Sequence, residues 1–415
     1  MTIFKFRMSS LIPIKIGLIR EGKTPPDKRV PFTPLQVVEI EQRFPHVKVI
    51  CHQSPVRCYQ DGEYVAAGIQ VSPDVSHCDI LMGIKEVPIQ ALVPDKTYLF
   101  FSHTLKKQVY NRKLLREVLR KNIRLIDYEA LKDNQGNRLV AFGRYAGIVG
   151  AYNGLWMYGK RYGVYSLRRA FECFDVNDLK LELRKVRLPS IKIILTGAGR
   201  VARGAMETLD TAGIRKVSPQ DILARSFQEP VYVQLSSQDY HIRKEGGPFN
   251  REEFHLNPER YQSTFLDFTT VGDVLLAGAF WNPKAPVLFT RENMLSANFK
   301  IRIIADITCD IPGSIPSTKR ASSIPDPLYD YDPVSDSEKP ELSDPRWVTV
   351  MAVDNLPCEL PRSASGAFGR DLIDHILQPL LTHDREGIIA SGTIAEDGAL
   401  TSTFSYLRDY VIETV

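Results

Sequence analysis

Titratable side chains follow several apolar runs in the first third of the chain. Lys85, His103 and Glu129 each come within three residues of the end of such a run, and helix-like segments separate the runs. Strands that alternate with helices predict a parallel, doubly wound sheet, whose ligands bind beyond the carboxyl ends of the strands. We therefore expect these side chains, together with Arg20 after the first apolar run, to point into one cleft. A partly desolvated lysine can act there as a base, and an imidazole can exchange protons with water or a carbonyl group.

Two further features bear on the expected chemistry. Ser102 is predicted to cap a helix over 104–120, which would place His103 near the positive end of that helix and favour the neutral ring. Arg20 and Arg29 flank a Pro-rich loop, where a guanidinium could bind a carboxylate through two hydrogen bonds. Each of these residues could equally be a solvated loop side chain, so residue type and position leave both interpretations open.

A glycine-rich turn lies near the middle of the chain. The segment 191–205 combines an apolar strand, a turn with two glycines and a helix. Gly197 permits the tight turn, Gly199 lets backbone N–H groups approach a pyrophosphate, and Ala202 allows helix and strand to pack closely. This order predicts a dinucleotide-binding domain that begins near residue 190. The alternative is an ordinary turn of some other α/β protein.

Composition narrows the class of protein. Of 415 residues, 43% are apolar and 25% are charged, which is ordinary for a globular protein of two or three domains. The net charge of +4 argues against a dedicated nucleic-acid surface. The six cysteines are dispersed without zinc-ligand spacing, so we expect reduced thiols, no metal and a cytoplasmic location. Lys15 interrupts the apolar segment after Lys5 and Arg7, and no apolar run could span a bilayer, so neither a signal peptide nor a membrane partner is expected.

The fold class expected is α/β, with two doubly wound Rossmann-like domains and a cleft between them. A long helix over 141–163 should lead from the first domain into the second, and a helix over 364–382 should return the chain to the first. The predicted domains are a discontinuous catalytic, substrate-binding domain, 1–148 with 358–415, and a dinucleotide-binding domain, 149–357.

Apolar runs also predict the individual strands. Between them, 164–189 is expected to be a helical insertion, and 312–346, which is dense in Pro, Ser and Asp, is expected to be a long loop. The strands are expected at 14–19, 47–50, 80–84, 98–101, 123–126, 191–195, 231–235, 274–276, 301–305 and 348–353.

Several short stretches resemble the saccharopine dehydrogenase family and, more distantly, alanine dehydrogenase and the soluble part of transhydrogenase. In chain order they are FFSHT at 100–104, IRLIDYE at 123–129, VAFG at 140–143, EGGPF at 245–249, IADITCDIPGSI at 304–315 and VDNLP at 353–357. The resemblance implies a reversible, NAD(P)-linked oxidoreductase. In that reaction saccharopine is oxidised at its secondary amine, and the imine is hydrolysed to lysine and 2-oxoglutarate. Arg144 departs from the family pattern and could contact a substrate carboxylate.

The same resemblance implies roles for particular residues. The lysine that matches Lys85 acts as base toward the secondary amine, and the histidine that matches His103 serves as acid and base in imine hydrolysis. The residues implied to tune charge are Glu86 and Glu129, and those implied to hold substrate carboxylates are Arg20 and Arg29. Two alternatives remain open: an alanine dehydrogenase-like amino-acid dehydrogenase, and a dinucleotide-binding regulator without catalytic activity.

An acidic residue in the second domain favours NAD as cofactor. Asp239 follows the predicted strand 231–235, where a carboxylate would repel the 2′-phosphate of NADP. The bifunctional reductases that the chain also resembles are NADPH-linked, so NADP remains an alternative. The other residues expected to contact the cofactor are Gly197, Gly199, Arg200, Val201, Ala279, Phe280, Asp306 and Asp310.

Overall fold

The computed structural model describes residues 13–412, so Lys5 and Arg7 and the expectation about a signal peptide lie outside the described residues. The chain divides into two compact units. The first unit holds the described residues up to Ala141 and those from Pro361 onward, and the second unit is Phe142–Leu360. Among the described helices, none has the length and apolar character needed to cross a membrane.

Strands and helices alternate along most of the chain. The strands are β1 (Ile14–Leu18), β2 (Val47–His52), β3 (Gln70–Ser72), β4 (Ile80–Met82), β5 (Thr97–Phe100), β6 (Arg124–Asp127), β7 (Lys192–Thr196), β8 (Arg215–Lys216), β9 (Val231–Leu235), β10 (His241–Arg243), β11 (Tyr261–Ser263), β12 (Val274–Ala277), β13 (Ile303–Asp306), β14 (Leu328–Asp332), β15 (Ser337–Lys339), β16 (Val348–Met351), β17 (Thr393–Glu396) and β18 (Ala399–Leu400). The helices are α1 (Pro34–Arg43), α2 (Asp61–Ala66), α3 (Arg112–Arg120), α4 (Gly143–Tyr162), α5 (Val176–Leu183), α6 (Arg200–Thr211), α7 (Pro219–Ala224), α8 (Arg251–Leu256), α9 (Leu266–Thr269), α10 (Arg291–Met294), α11 (Pro361–Asp371), α12 (Leu377–Leu381), α13 (Ile388–Gly392) and α14 (Arg408–Ile412).

The sheet of the first unit has the order β3-β2-β1-β4-β5-β6-β17-β18. The six strands β3, β2, β1, β4, β5 and β6 are parallel. β17 pairs antiparallel with β6, and β18 pairs antiparallel with β17 at the edge of the sheet. The chain proceeds outward from β1 on one side and from β4 on the other, so the switch point of this sheet lies between β1 and β4. The register pairs Leu18 with Met82, so the loops that leave these two strands begin at the same level.

The second unit repeats this plan in the order β8-β9-β7-β12-β13-β16-β14-β15. The six neighbouring strands β8, β9, β7, β12, β13 and β16 are parallel. The switch point of this sheet lies between β7 and β12. These two sheets with flanking helices confirm the prediction of an α/β, doubly wound fold. The central strands β1, β4, β7 and β12 are mostly apolar, as expected for parallel sheets that helices cover on both faces.

The prediction of a long loop over 312–346 is wrong in part, because this segment contains the antiparallel hairpin of β14 and β15. Tyr329 and Tyr331 of β14 are buried in the core of the second unit. Between them Asp330 is also fully buried, and its carboxylate lies 3.6 Å from the Arg161 guanidinium. In a segment dense in Pro, Ser and Asp, an aspartate is typical of a loop. Only the ion pair with Arg161 shows that Asp330 belongs to a buried strand.

The predicted helix over 141–163 is confirmed as α4, and it packs unusually closely on α6. A Cβ atom at Gly147 would lie 1.8 Å from the Val201 carbonyl oxygen, and one at Gly204 would lie 1.9 Å from the Arg144 carbonyl oxygen. Ala202 of α6 is fully buried. Glycine on both helices therefore lets the two backbones touch, which fixes the start of α6.

Two other predicted helices differ in detail. The insertion over 164–189 contains only α5 and one short 3₁₀ turn, with extended chain between them. The helix predicted over 364–382 is present as α11 and α12, which a π-helical turn at Leu372–Ile376 joins. Such a turn inserts one residue into the helical repeat and shifts the buried face of the segment beyond it.

Candidate functional site

The switch point of the first unit brings Glu21 and the loop of Lys85 together. Glu21 follows β1, and its Oε1 accepts a hydrogen bond from the Ile84 backbone N–H at 2.7 Å. Its Oε2 accepts one from the Lys85 backbone N–H at 3.0 Å. Burial and the negative charge of Asp27 raise the pKa of Glu21 to about 8. Sequence reasoning missed Glu21, although an acidic residue three positions beyond the first strand of such a sheet was a usable signal.

The Lys85 side chain is half-buried in the loop that follows β4. Burial lowers the pKa of its amine, and the positive charges of Arg29 and Lys23 lower it further. Asp27 and Glu86 act in the opposite direction. The net lowering makes the uncharged amine easier to populate, as the prediction of a basic Lys85 requires.

Glu86 and His103 form a hydrogen-bonded pair across the ends of β4 and β5. Glu86 Oε1 lies 2.6 Å from His103 Nδ1, and it also accepts a 3.3 Å hydrogen bond from Asn111 Nδ2. Lys23 Nζ lies 3.5 Å from the other carboxylate oxygen of Glu86. Burial opposes ionisation of Glu86, but the hydrogen bond and charge of His103, together with Lys23, lower its pKa to about 2. The pair leaves Nε2 as the ring nitrogen of His103 that points away from Glu86.

The local structure around His103 differs from the prediction. The helix expected over 104–120 begins only at Arg112, so His103 lies in no helical first turn and Ser102 caps no helix there. His103 instead has a φ of 50°, which is rare for a residue with a side chain. Its ring stacks on the Phe101 ring at a centroid distance of 6.4 Å. Glu86 and Phe101, rather than a helix dipole, orient the imidazole.

Asp127 ties the His103 loop to the loop that carries Glu129. Its Oδ2 accepts hydrogen bonds from the Ser102 backbone N–H at 2.9 Å and from the Ser102 hydroxyl at 2.5 Å. Its Oδ1 accepts one from the Glu129 backbone N–H at 2.7 Å. Burial raises the pKa of Asp127, although these hydrogen bonds lower it. The half-buried Glu129 lies 3.9 Å from the Arg138 guanidinium. The edge of the sheet beyond the ends of β4, β5 and β6 therefore carries Lys85, Glu86, His103 and Glu129.

The arginines predicted to hold carboxylates have contrasting environments. Arg29 is 3% exposed, and its Nε and Nη2 donate to the two oxygens of Asp27 at 3.0 and 2.6 Å. Arg20 is exposed at the end of β1. Arg144 pairs with Glu207 through Nε and Nη2 within the second unit, which is a structural reason for its presence.

The glycine turn lies at the switch point of the second unit. Gly197 has a φ of 105°, and a Cβ atom there would lie 2.8 Å from the Gly278 carbonyl oxygen, so glycine is required for both reasons. A Cβ atom at Gly199 would meet no atom within 4 Å, which leaves open space where α6 begins. The N-cap of α6 is Gly199, which has no side chain to cap the helix, and the N-terminus of a helix is a favourable place for an anion. These residues fit a dinucleotide pyrophosphate.

The other residues predicted to contact the cofactor also follow strands of this sheet. Arg200 and Val201 open α6, and Ala279 and Phe280 follow β12, where Phe280 is 81% exposed. Asp239 stands four residues beyond β9. Its Oδ2 accepts hydrogen bonds from the Ser236 N–H and hydroxyl. Their roles toward a cofactor stay predictions.

Asp306 is the last residue of β13, and Asp310 lies in the loop that follows. Asp306 is 2% exposed, and it accepts hydrogen bonds from the N–H and hydroxyl of Thr308, the Cys309 N–H and the Thr318 hydroxyl. Its carboxylate thus organises the loop internally. Asp310 is half-buried, and a Cβ atom at Gly313 would lie 2.3 Å from the Asp310 carbonyl oxygen.

The two doubly wound sheets and the glycine turn define a Rossmann-type α/β protein. The family described as the alanine dehydrogenase/PNT N-terminal domain matches residues 17–149. A solved L-alanine dehydrogenase shares the fold with a TM-score of 0.65 at 16% identity, covering 95% of this chain and 99% of that one.

Two named relatives are similar to this chain over most of its length. The chain is 30% identical over 443 residues to the mitochondrial alpha-aminoadipic semialdehyde synthase of Bos taurus, covering 95% of this chain and 47% of the relative. It is 25% identical over 386 residues to the L-lysine-forming, NAD(+)-linked saccharopine dehydrogenase of Yarrowia lipolytica, covering 88% and 92%. The chain spans about half the length of the synthases that it matches. These homologues confirm the resemblance to saccharopine dehydrogenases.

Proposed function

We propose that the protein is a saccharopine dehydrogenase-type oxidoreductase, which interconverts saccharopine with L-lysine and 2-oxoglutarate through an imine. The observation that carries the proposal is the group of proton-transfer residues at one sheet edge: an amine of lowered pKa at Lys85, beside the hydrogen-bonded Glu86–His103 pair. Relatives named for this chemistry match along most of the chain. A regulator that only bound a dinucleotide would have no need of two such groups at neighbouring strand ends.

Each residue has a distinct role in the proposed reaction. In the oxidative direction, the uncharged Lys85 amine takes the proton from the secondary amine of saccharopine. The carbon bonded to that nitrogen, which becomes the imine carbon, loses a hydride. His103 then removes a proton from the water that attacks the imine, and a protonated group at the site returns one to the leaving lysine nitrogen. Glu86 stabilises the imidazolium that forms during this exchange. Arg20 and Arg29 are proposed to supply positive charge for the substrate carboxylates.

We propose NAD as the cofactor, bound in the second unit. A bound nicotinamide would accept the hydride from saccharopine or return it in reverse. Gly197, Gly199 and the N-terminus of α6 would hold its pyrophosphate through backbone N–H groups. Asp239 would favour an unphosphorylated ribose, because a carboxylate repels a 2′-phosphate. The names of the fungal relatives specify NAD(+), in agreement with this choice.

The test is a turnover assay on the purified protein. Oxidation of NADH that requires lysine and 2-oxoglutarate together supports the proposal, whereas turnover with pyruvate and ammonia alone would establish the alanine dehydrogenase alternative. Parallel assays with NADPH decide the cofactor. Lys85→Met should lower turnover by at least about 100-fold, the usual contribution of a general base. Lys113→Met, at an exposed position of α3, is the matched control and should retain activity.

A further inference from the structure

A carboxylate that no catalytic role requires bridges the switch point of the first unit. Glu21 leaves the end of β1, and the two backbone N–H groups that it binds, those of Ile84 and Lys85, belong to the loop after β4. Each carboxylate oxygen accepts one of these hydrogen bonds. The backbone that leads into the Lys85 side chain is thus held by a residue 64 positions earlier in the chain.

We propose that Glu21 is a positioning residue, whose carboxylate clamps the Lys85 loop across the switch point and thereby sets how deeply the Lys85 amine is buried. The proposal rests on the proposed function in one respect, the role of Lys85 as the base. Burial is the main cause of the lowered pKa of Lys85, so any loosening of the loop that hydrates the amine must raise that pKa.

The environment of Glu21 makes the clamp sensitive to protonation. Asp27 and Arg29 lie near it on the loop after β1, and the fully buried Tyr128 lies near it at the end of β6. Burial and Asp27 raise the pKa of Glu21 to about 8, against the opposing effects of the two backbone N–H groups and Arg29. An ionised carboxylate is a stronger acceptor than a carboxylic acid, so the clamp should tighten as the pH rises through about 8.

Two substitutions separate the geometry of the clamp from its charge. Glu21→Gln keeps the shape but turns an N–H donor toward one of the two backbone N–H groups, which then loses its acceptor. Glu21→Asp keeps the ionisable carboxyl group but shortens the side chain by one methylene. Asp79→Asn is the matched control, because Asp79 accepts the Lys15 backbone N–H at 2.8 Å and joins the same two strands at their opposite ends.

The first measurement is amide hydrogen exchange at Ile84 and Lys85, relative to Gly83. The Gly83 N–H donates to the Leu99 carbonyl oxygen at 3.0 Å and is an internal reference without a titratable acceptor. Both Glu21 variants should speed exchange of at least one of the two amides about tenfold, the effect of losing one hydrogen bond. Asp79→Asn should leave these amides unchanged. Unchanged exchange in Glu21→Gln, or wild-type rates in Glu21→Asp, would overturn the proposal.

The second measurement is the pKa of the Lys85 amine, obtained from its acetylation rate against pH by mass spectrometry. Both Glu21 variants should raise this pKa; no change or a decrease would contradict a positioning role. If the variants fail to fold, the wild-type protein suffices: protection of the Ile84 and Lys85 amides relative to Gly83 should increase as the pH passes through about 8, and a constant ratio refutes the clamp. Neither measurement needs turnover, so absence of activity in the wild-type protein would count against the proposed function alone.

Discussion

Glu86→Gln should destabilise the protein by an amount that the structure allows us to calculate. Glutamine imitates the protonated carboxyl, so the substitution removes what ionisation of Glu86 contributes. Its pKa falls from 4.5 to about 2 in the folded chain, and its side chain is only 13% exposed. At about 1.4 kcal/mol for each pKa unit, this difference corresponds to about 3 kcal/mol of stability near neutral pH. For a domain of roughly 150–250 residues, the melting temperature should fall by about 6–12 °C.

The pH dependence of this loss distinguishes the electrostatic explanation from a packing defect. A carboxyl with a depressed folded pKa stabilises the protein above its unfolded pKa, and that stabilisation disappears as the pH falls through the folded pKa. The difference between wild type and Glu86→Gln in calorimetric melting should therefore shrink as the pH falls from 4.5 toward about 2. Glu117→Gln, which removes a partly exposed surface carboxylate bonded to Arg120, is the control and should have little effect at any pH. Equal melting temperatures near neutral pH, or a difference independent of pH, would refute the reasoning.

Three glycines give further predictions. Gly147→Ala would place a Cβ atom 1.8 Å from the Val201 carbonyl oxygen, so α4 and α6 must separate, at a cost of about 3 kcal/mol; an unaltered melting temperature would contradict this packing. Gly197→Ala would strain a φ of 105° and press on Gly278, so calorimetric titration should show NADH affinity reduced about tenfold together with lower stability. A Cβ atom at Gly199 would meet no protein atom within 4 Å, so Gly199→Ala should leave the melting temperature constant. The same Cβ would occupy the open space predicted for the pyrophosphate, so NADH binding should weaken; unchanged affinity would remove Gly199 from the predicted pyrophosphate site.

The sequence predicted the elements of the fold best where their signals are local. The apolar runs of the parallel strands are visible within five or six residues, and they placed Lys85 and His103 at strand ends as the structure has them. The prediction of a helix over 104–120 was wrong at its start because the first apolar residues of this segment are not fully buried. Leu105 is only half-buried and Val109 is 66% exposed, whereas the true buried face begins at Leu114 of α3.

Interactions between distant parts of the chain could not be predicted in this way. The acceptor role of Glu21 depends on N–H groups 63 and 64 residues later, and the burial of Asp330 depends on Arg161. The pairing of Arg29 with Asp27 is local, yet nothing in the sequence distinguishes it from an arginine that awaits a substrate. Residue types identified the candidate chemistry, but only the coordinates show which charges already have a partner within the protein.

Three carboxylates join the four strand ends that carry the candidate chemistry. Glu21 connects β1 to the loop after β4, Glu86 connects that loop to His103 after β5, and Asp127 connects Ser102 to the loop after β6. Backbone N–H groups beyond the ends of parallel strands lack ladder partners, so a carboxylate from the neighbouring strand can satisfy them and fix the loop at once. Glu86, whose pKa is lowered to about 2, also supplies a negative charge that balances the cations gathered there, which burial would otherwise disfavour. The three acidic residues thus provide the rigidity, and Glu86 the charge balance, that an amine and an imidazole need in order to exchange protons.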